Sequence, residues 1–264
     1  MTSFKRLIKP LFRDHVFAGR SLLFLEETDS TNMLCLRTPE LLTCPGLVVQ
    51  AQRQTKGIGR MGRKWEQGQG NHLFCSFVLT PPSTIRYPPT LTLLCGLGVS
   101  RTIKALGLAE HEILIKWPND ILIGGKKVSG ILCQSTIVNN KTVIVAGIGI
   151  NIKGNADQFP KELLGKVTTL EKHGLDVTPQ RLLEVLAIEI EKILQEANKL
   201  GTSRLLQKWV QEALCLGKRI WFDKYGRKIS GTVTGLDHIG RLVVRGEDNK
   251  IHIIDSGQID FTYS

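Results

Sequence analysis

The chain has 264 residues, of which 42% are hydrophobic and 22% charged. That composition belongs to a folded globular protein rather than a disordered one, and no apolar run approaches the roughly 18 residues of a membrane span. Lys plus Arg number 35 against 24 Asp plus Glu, a formal charge of +11, which favours acidic partners such as phosphates, nucleic acid or an acidic protein.

Met1 to Arg20 is basic, with Phe4, Leu7, Ile8, Leu11 and Phe12 spaced as an apolar helical stripe that Pro10 interrupts. It reads as an extension packed on the fold rather than a transit peptide. Ser21 to Glu26 is strand-like. Asp29-Ser30-Thr31-Asn32 is a turn or helix cap, and Met33, Leu34 and Leu36 carry the helix after it. Leu47 to Ala51 is a short strand. Thr55 to Asn71 is rich in glycine and basic residues and has little periodicity, which points to a functional loop. His72 to Thr80 reads as a strand covered on both faces.

Leu91 to Leu106 reads as a helix and Glu112 to Trp117 as a strand. Two hairpins follow, turning at Gly124-Gly125 and Asn139-Asn140, the second returning through Val143 to Ile150. Thr178 and Pro179 open a helix with leucine or isoleucine every four residues, and Leu205 to Leu214 forms another, ending before Gly217. From there short strands split by turns at Tyr225-Gly226 and Ile239-Gly240 make a small β module. These elements predict an α+β fold: a mixed sheet with helices over residues 1–216, its first 20 residues an extension, and a second domain over 217–264. The six cysteines, at 35, 44, 75, 95, 133 and 215, and the scattered histidines have no zinc-ligand spacing. Buried free thiols in a reducing cytoplasm are expected, and no protein metal site.

Three constellations carry chemistry. Five basic residues and no acid lie between Arg53 and Lys64, among Gly57, Gly59 and Gly62. Glycines expose N–H groups to an anion and arginines add forked donors, so this is an anion-binding loop. Gly57-x-Gly59-x-x-Gly62 matches the dinucleotide fingerprint, but no helix follows it and no acid stands some 20 residues on, so a Rossmann reading fails. Lys116-Trp117-Pro118-Asn119-Asp120 ends a strand and can project a fixed ammonium into a pocket; a plain strand end with an Asn-Asp turn fits equally well. Gly147-Ile148-Gly149-Ile150-Asn151 sets two glycines in a strand, marking a close approach or a tight bend.

In this order the motifs, with Gly125 to Leu132, Gln158-Phe159-Pro160, Thr168-Thr169-Leu170, Gly231 to Gly240 and Ser256 to Ile259, resemble the biotin protein ligase family from about residue 21 to 264. The resemblance implies a class II synthetase-like catalytic domain followed by an SH3-like β-barrel. It implies ATP-dependent activation of biotin as biotinyl-5′-AMP, with Mg2+, and transfer to a lysine of a biotin carboxyl carrier domain. Only 28 residues precede Asp29, too few for the helix-turn-helix of bifunctional members, so the monofunctional form is expected. Nucleic-acid and membrane partners are not expected. A cytoplasmic monomer or homodimer is.

By the same resemblance Ser30, Thr31, Asn32, Gln54, Gly57, Ile58, Gly59, Arg60, Lys116, Gly130 and Ile131 would bind biotin. Arg60, Met61, Trp65, Lys116, Asn119 and Asn151 would bind ATP, Trp65 stacking on adenine and Asn151 hydrogen-bonding it. Lys116 and Arg60 would be catalytic. The chain departs from the family where Ile58 replaces an arginine, Met61 often an arginine or another polar residue, Gln134 a glutamate and His72 an asparagine. A lipoate ligase or octanoyltransferase is the alternative enzyme, and a nucleic-acid-binding protein the alternative of another class.

Overall fold

Alternation along eight strands builds one sheet with two unlike faces. The computed structural model describes residues 4, 7–66, 68, 70–85, 87–154, 159–224, 227–255 and 260–261. The elements in chain order are β1 (Lys9–Pro10), β2 (Ser21–Thr28), α1 (Thr31–Arg37), α2 (Pro39–Leu42), β3 (Leu47–Gln54), β4 (His72–Leu79), α3 (Pro88–Ala105), β5 (Ile113–Lys116), β6 (Asp120–Ile123), β7 (Lys126–Val138) and β8 (Lys141–Asn151). There follow α4 (Pro179–Leu200), α5 (Ser203–Gln211), β9 (Arg219–Lys224), β10 (Arg227–Leu236), β11 (Leu242–Gly246), β12 (Ile251–Ile254) and β13 (Asp260–Phe261). The first sheet has the order β1-β2-β3-β4-β8-β7-β6-β5. β2 and β3 pair in parallel and the remaining neighbours antiparallel, which makes the sheet mixed.

All of β4 is buried, as its two apolar faces predict. Leu73, Cys75, Phe77 and Leu79 join α3 and α4 in the larger core, while Val78 faces the smaller core under α1 and α2. The hairpin turns are primed: Gly124 and Gly125 have φ 55° and 75°, and Asn139 and Asn140 have 49° and 59°. Thr178 caps α4 by accepting from the Arg181 N–H at 3.2 Å, with Pro179 in the first position.

Three expectations are corrected. The N-terminal stripe is not a helix among the described residues. Lys9 and Pro10 pair with Leu22 and Ser21 at the sheet edge, where a proline costs no ladder bond. Leu11 and Phe12 pack on the larger core, Phe4 and Ile8 on the smaller. The Glu191 carboxylate on α4, 3% exposed, accepts the N–H groups of Val16, Phe17 and Ala18, each at 2.8 Å. The second correction concerns α5, which stops at Gln211 instead of running to Leu214. The carbonyl of Glu212 and the N–H of Leu214 each bond Ile115 at 2.9 Å. The open edge of β5 recruits this segment, a demand that helical periodicity does not reveal. Of the six thiols, Cys35, Cys75, Cys95 and Cys215 are buried as expected, but Cys44 and Cys133 are partly exposed.

The second sheet is antiparallel, in the order β12-β11-β10-β9-β13. The Tyr225-Gly226 turn, Gln158 and Ser256 to Ile259 lie outside the described residues. The other turn grips the first sheet's helices. Asp237 accepts from the N–H groups of Ile239 and Arg241 at 3.1 and 2.9 Å and from Arg241 Nε at 2.6 Å. Thr90 Oγ1 on α3 donates to the Ile239 carbonyl at 2.7 Å, and Trp117 Nε1 to the Gly240 carbonyl at 3.3 Å.

Candidate active site

The face under α1 opens into a cavity of about 330 Å³, large enough for a small ligand. Its floor follows from the strand period. Val143 and Val145 cover the smaller core, and two steps further the same face of β8 carries Gly147 and Gly149. Ile148 and Ile150, between them, point into the larger core. Opposite, Gly130 pairs with Gly149 and Leu132 with Gly147. A Cβ on Gly147 would lie 2.3 Å from Asn32 Oδ1. One on Gly130 or Gly149 would come within 2.6 or 2.7 Å of the Trp65 indole. These glycines make room for particular side chains.

At one end, Ser30 caps α1, its hydroxyl accepting weakly from the Met33 N–H at 3.5 Å. Gln54, at the end of β3, accepts the Thr31 N–H at 2.7 Å. Asn32 Nδ2 donates to the Leu132 carbonyl and to Gln134 Oε1, both at 3.0 Å. The short α1 and the parallel β2–β3 pair thus bring the ends of two connections together.

At the other end the glycine/arginine loop folds on itself. Ile58 bridges to Lys64, and Trp65 N donates to the Gly57 carbonyl at 2.9 Å. The reversal uses Met61 and Gly62 at φ 58° and 72°. Arg60 reaches back to Asn119 Oδ1 at 3.3 Å, and Asn119 Nδ2 donates to the Ile131 carbonyl at 3.0 Å. Burial lowers the Arg60 pKa from its ordinary value and Asp120 partly opposes this; an arginine stays cationic through such a shift. Lys116, at the end of β5, lines the same cavity with Arg60, Arg63, Lys64 and Lys127, against the acids Glu66 and Asp120. Lys127 pairs with Asp120 at 2.7 Å and Lys64 with Glu66 at 2.8 Å. The surplus is cationic, the arrangement for stabilising growing negative charge. Cys75 also lines the cavity, but burial pushes its thiol up, so it carries no thiolate nucleophile at neutral pH.

Every residue expected at the site lines this cavity except Gly57. Gly57 lies behind it, where a Cβ would press on Trp65 at 3.1 Å. Ile131 lines it while its side chain counts in the larger core. The Asn151 amide donates to the Thr168 carbonyl at 3.2 Å, and its buried Oδ1 has no partner among the described residues. Sequence reasoning gave no role to Lys127, whose ammonium lies 5.1 Å from the Trp65 ring centroid, nor to Phe159 and Val167, which also line the wall. Lys127 could have been found, because it sits inside a motif with a basic pair. Phe159 also sat inside a motif, Gln158-Phe159-Pro160, whereas Val167 offered no such signal.

The Biotin/lipoate A/B protein ligase family matches residues 24–151, and the Biotin protein ligase C terminal domain matches residues 216–262. A relative named biotin--[acetyl-CoA-carboxylase] ligase, from Paracoccus denitrificans, is 30% identical over 243 residues, covering 90% of this chain and 99% of its own. A bifunctional ligase/repressor BirA of Bacillus spizizenii is 30% identical over 241 residues, covering 90% and 74%. Among solved structures, the biotin protein ligase from Aquifex aeolicus in complex with biotin and ATP superposes with a TM-score of 0.77 at 32% identity, over 92% of this chain and 99% of that one.

Proposed function

The chain belongs to the biotin protein ligase family, and from that premise we propose that it activates biotin with ATP and transfers it to a lysine of a biotin carboxyl carrier domain. The biotin carboxylate attacks the α-phosphate, forming biotinyl-5′-AMP and releasing pyrophosphate. The carrier's lysine amine then attacks the acyl carbon and AMP leaves. Neither step needs an enzyme nucleophile, and the Cys75 thiol points into the larger core, where burial holds it protonated. The work left for the protein is to bring two anions together and to stabilise the charge that develops.

The observation that carries this reading is the convergence of the loop, the strand-end lysine and the capped helix on one cationic cavity. In it, Ser30, Thr31, Asn32 and Gln54 take the polar ring of biotin, and Arg60 with Lys116 the carboxylate and α-phosphate. Asn119 holds Arg60 in place. Asn151 Oδ1, a buried acceptor with no donor among the described residues, suits the exocyclic amine of adenine. Trp65 supplies an aromatic wall resting on Gly130 and Gly149.

Mg2+ enters as the companion of the triphosphate. Among the described residues no three His, Cys, Asp or Glu side chains converge, and Asp120 is paired with Lys127. Carried on the triphosphate, the ion would supply charge neutralisation at the phosphate oxygens. The cytoplasm, where ATP and carrier domains meet, is the compartment this reading implies. The test is ATP–pyrophosphate exchange with MgATP and biotin, with lipoate and octanoate in parallel. Exchange with biotin alone is expected; exchange with lipoate or octanoate instead would move the protein to the sister activity.

A further inference from the structure

The polar end of the cavity contains a chain of hydrogen bonds whose proton directions are fixed by chemistry. The Leu132 backbone carbonyl can only accept, so the Asn32 atom 3.0 Å from it is the amide nitrogen, whose other proton goes to Gln134 Oε1. Asn32 Oδ1 then faces Ser76 Oγ at 2.6 Å and needs a donor. Ser76 has one hydroxyl proton and it is spent there. Its contact with Thr31 Oγ1, at 2.7 Å, is therefore closed by the proton of Thr31. The remaining neighbour of that hydroxyl, Gln54 Oε1 at 3.1 Å, is fixed as an acceptor because it already takes the Thr31 N–H. Whichever of the two the hydroxyl turns to, its proton stays inside the protein. Thr31 lines the cavity with lone pairs only.

We propose that Ser76, which is fully buried and does not line the cavity, is a positioning residue for ligand specificity: as the nearer of two acceptors, with Gln54 Oε1, it holds Thr31 as an acceptor and so selects a ring N–H. The proposal rests on the biotin reading, since the cyclic urea of biotin carries such N–H groups. Gly147 belongs to the device, because only a residue without Cβ leaves the Asn32 amide in its place. Ser76 acts through Thr31 and Asn32 and need not touch the ligand.

The probe is a pair of nearly isosteric acids: biotin, and the cyclic carbamates in which either urea N–H is replaced by oxygen. Titration calorimetry gives the affinity ratio of urea to carbamate for the intact protein and for Ser76→Ala. Wild type is expected to favour the urea strongly. In Ser76→Ala the Thr31 hydroxyl loses its nearer acceptor and keeps only Gln54 Oε1 at 3.1 Å, which the Thr31 N–H already occupies, so it turns more readily to the ring oxygen of the carbamate whose substitution faces it. For that isomer the ratio falls about three- to tenfold, the size of a neutral hydrogen bond. Ser76→Thr keeps the hydroxyl and keeps the wild-type ratio. Should the alanine variant not fold, Ser76→Cys, of similar volume with a weak donor, carries the same prediction. Equal weakening of both acids, with the ratio unchanged, would make Ser76 a packing residue and overturn the proposal alone. Failure of the wild type to bind biotin would overturn the ligase reading and this proposal with it.

Discussion

Replacing Gly240 with alanine should strike both stability and catalysis, although Gly240 lies in the second sheet's turn and not in the cavity. Its φ is 90°, where an L side chain costs about 1–2 kcal/mol. The new Cβ would also lie 2.4 Å from Leu93 Cδ1 and 3.5 Å from Leu206 Cδ2. Leu93 is 2% exposed on α3, so it can yield only by disturbing the core, an overpacking cost of about 1–3 kcal/mol. Together these give about 3 kcal/mol. Gly217 supplies the control: its φ is 72°, but a Cβ there meets nothing within 4 Å, so Gly217→Ala should lose only the backbone part. Urea denaturation of both variants isolates the packing difference. The same shift moves the Gly240 carbonyl that accepts from Trp117 Nε1, and Trp117 follows Lys116 in sequence. A misplacement near 1 Å at a reacting group costs up to ~10²-fold in rate, so pyrophosphate exchange should fall with Gly240→Ala and hold with Gly217→Ala. Equal stability and equal exchange in the two variants would refute the reasoning.

Lys116→Ala should abolish adenylation while leaving the urea midpoint unchanged, a loss of about 3–4 kcal/mol in the barrier; normal exchange by the folded variant would remove Lys116 from its role. Glu191→Ala leaves three N–H groups of Val16, Phe17 and Ala18 without their acceptor, and should lower stability by about 2–4 kcal/mol and open the first 20 residues to limited proteolysis. Burial lowers the His72 pKa below its ordinary 6.5 despite the bond to the Gly68 carbonyl. The folded state therefore binds the proton less readily than the unfolded one. Its contribution is fully present above pH 6.5 and declines as pH falls below it. Urea midpoints at about pH 7.5 and about pH 5 should differ more for wild type than for His72→Gln, and equal differences would show that His72 does not carry this dependence.

Most of the cavity-lining face was legible because its signals are local. Gly147 and Gly149 alternate with Ile148 and Ile150, and a strand of period two must send the glycines to one face and the isoleucines to the other. The primed turns, the Ser30 and Thr178 caps and the buried β4 follow from short-range rules in the same way. What stayed hidden depends on partners distant in sequence. The segment after α5 reads as helix until the open edge of β5 claims it. Glu191 reads as one more charge on an amphipathic helix until three N–H groups from residues 16–18 converge on it. Ser76 lies in a strand whose neighbours are all apolar, a local inconsistency that does mark it, but only the fold brings Thr31 and Asn32 to its hydroxyl. Gly57 was placed at the ligand because its motif is contiguous, whereas the reversal at Met61 and Gly62 turns it behind Trp65.

The grip of the Asp237–Arg241 turn on Thr90 and Trp117 bears on how the protein comes off the ribosome. Synthesis runs from the N-terminus, so β5 and Trp117 are complete more than a hundred residues before Gly240 emerges. Until then the Trp117 indole N–H and the Thr90 hydroxyl lack the acceptors that hold them, and the floor beneath Lys116 stays loose. The smaller core is built wholly from residues that precede the second sheet, whereas the larger one also takes Ile220, Phe222, Val233, Leu242, Val244 and Ile254. The lysine's seat is finished only when the last module docks.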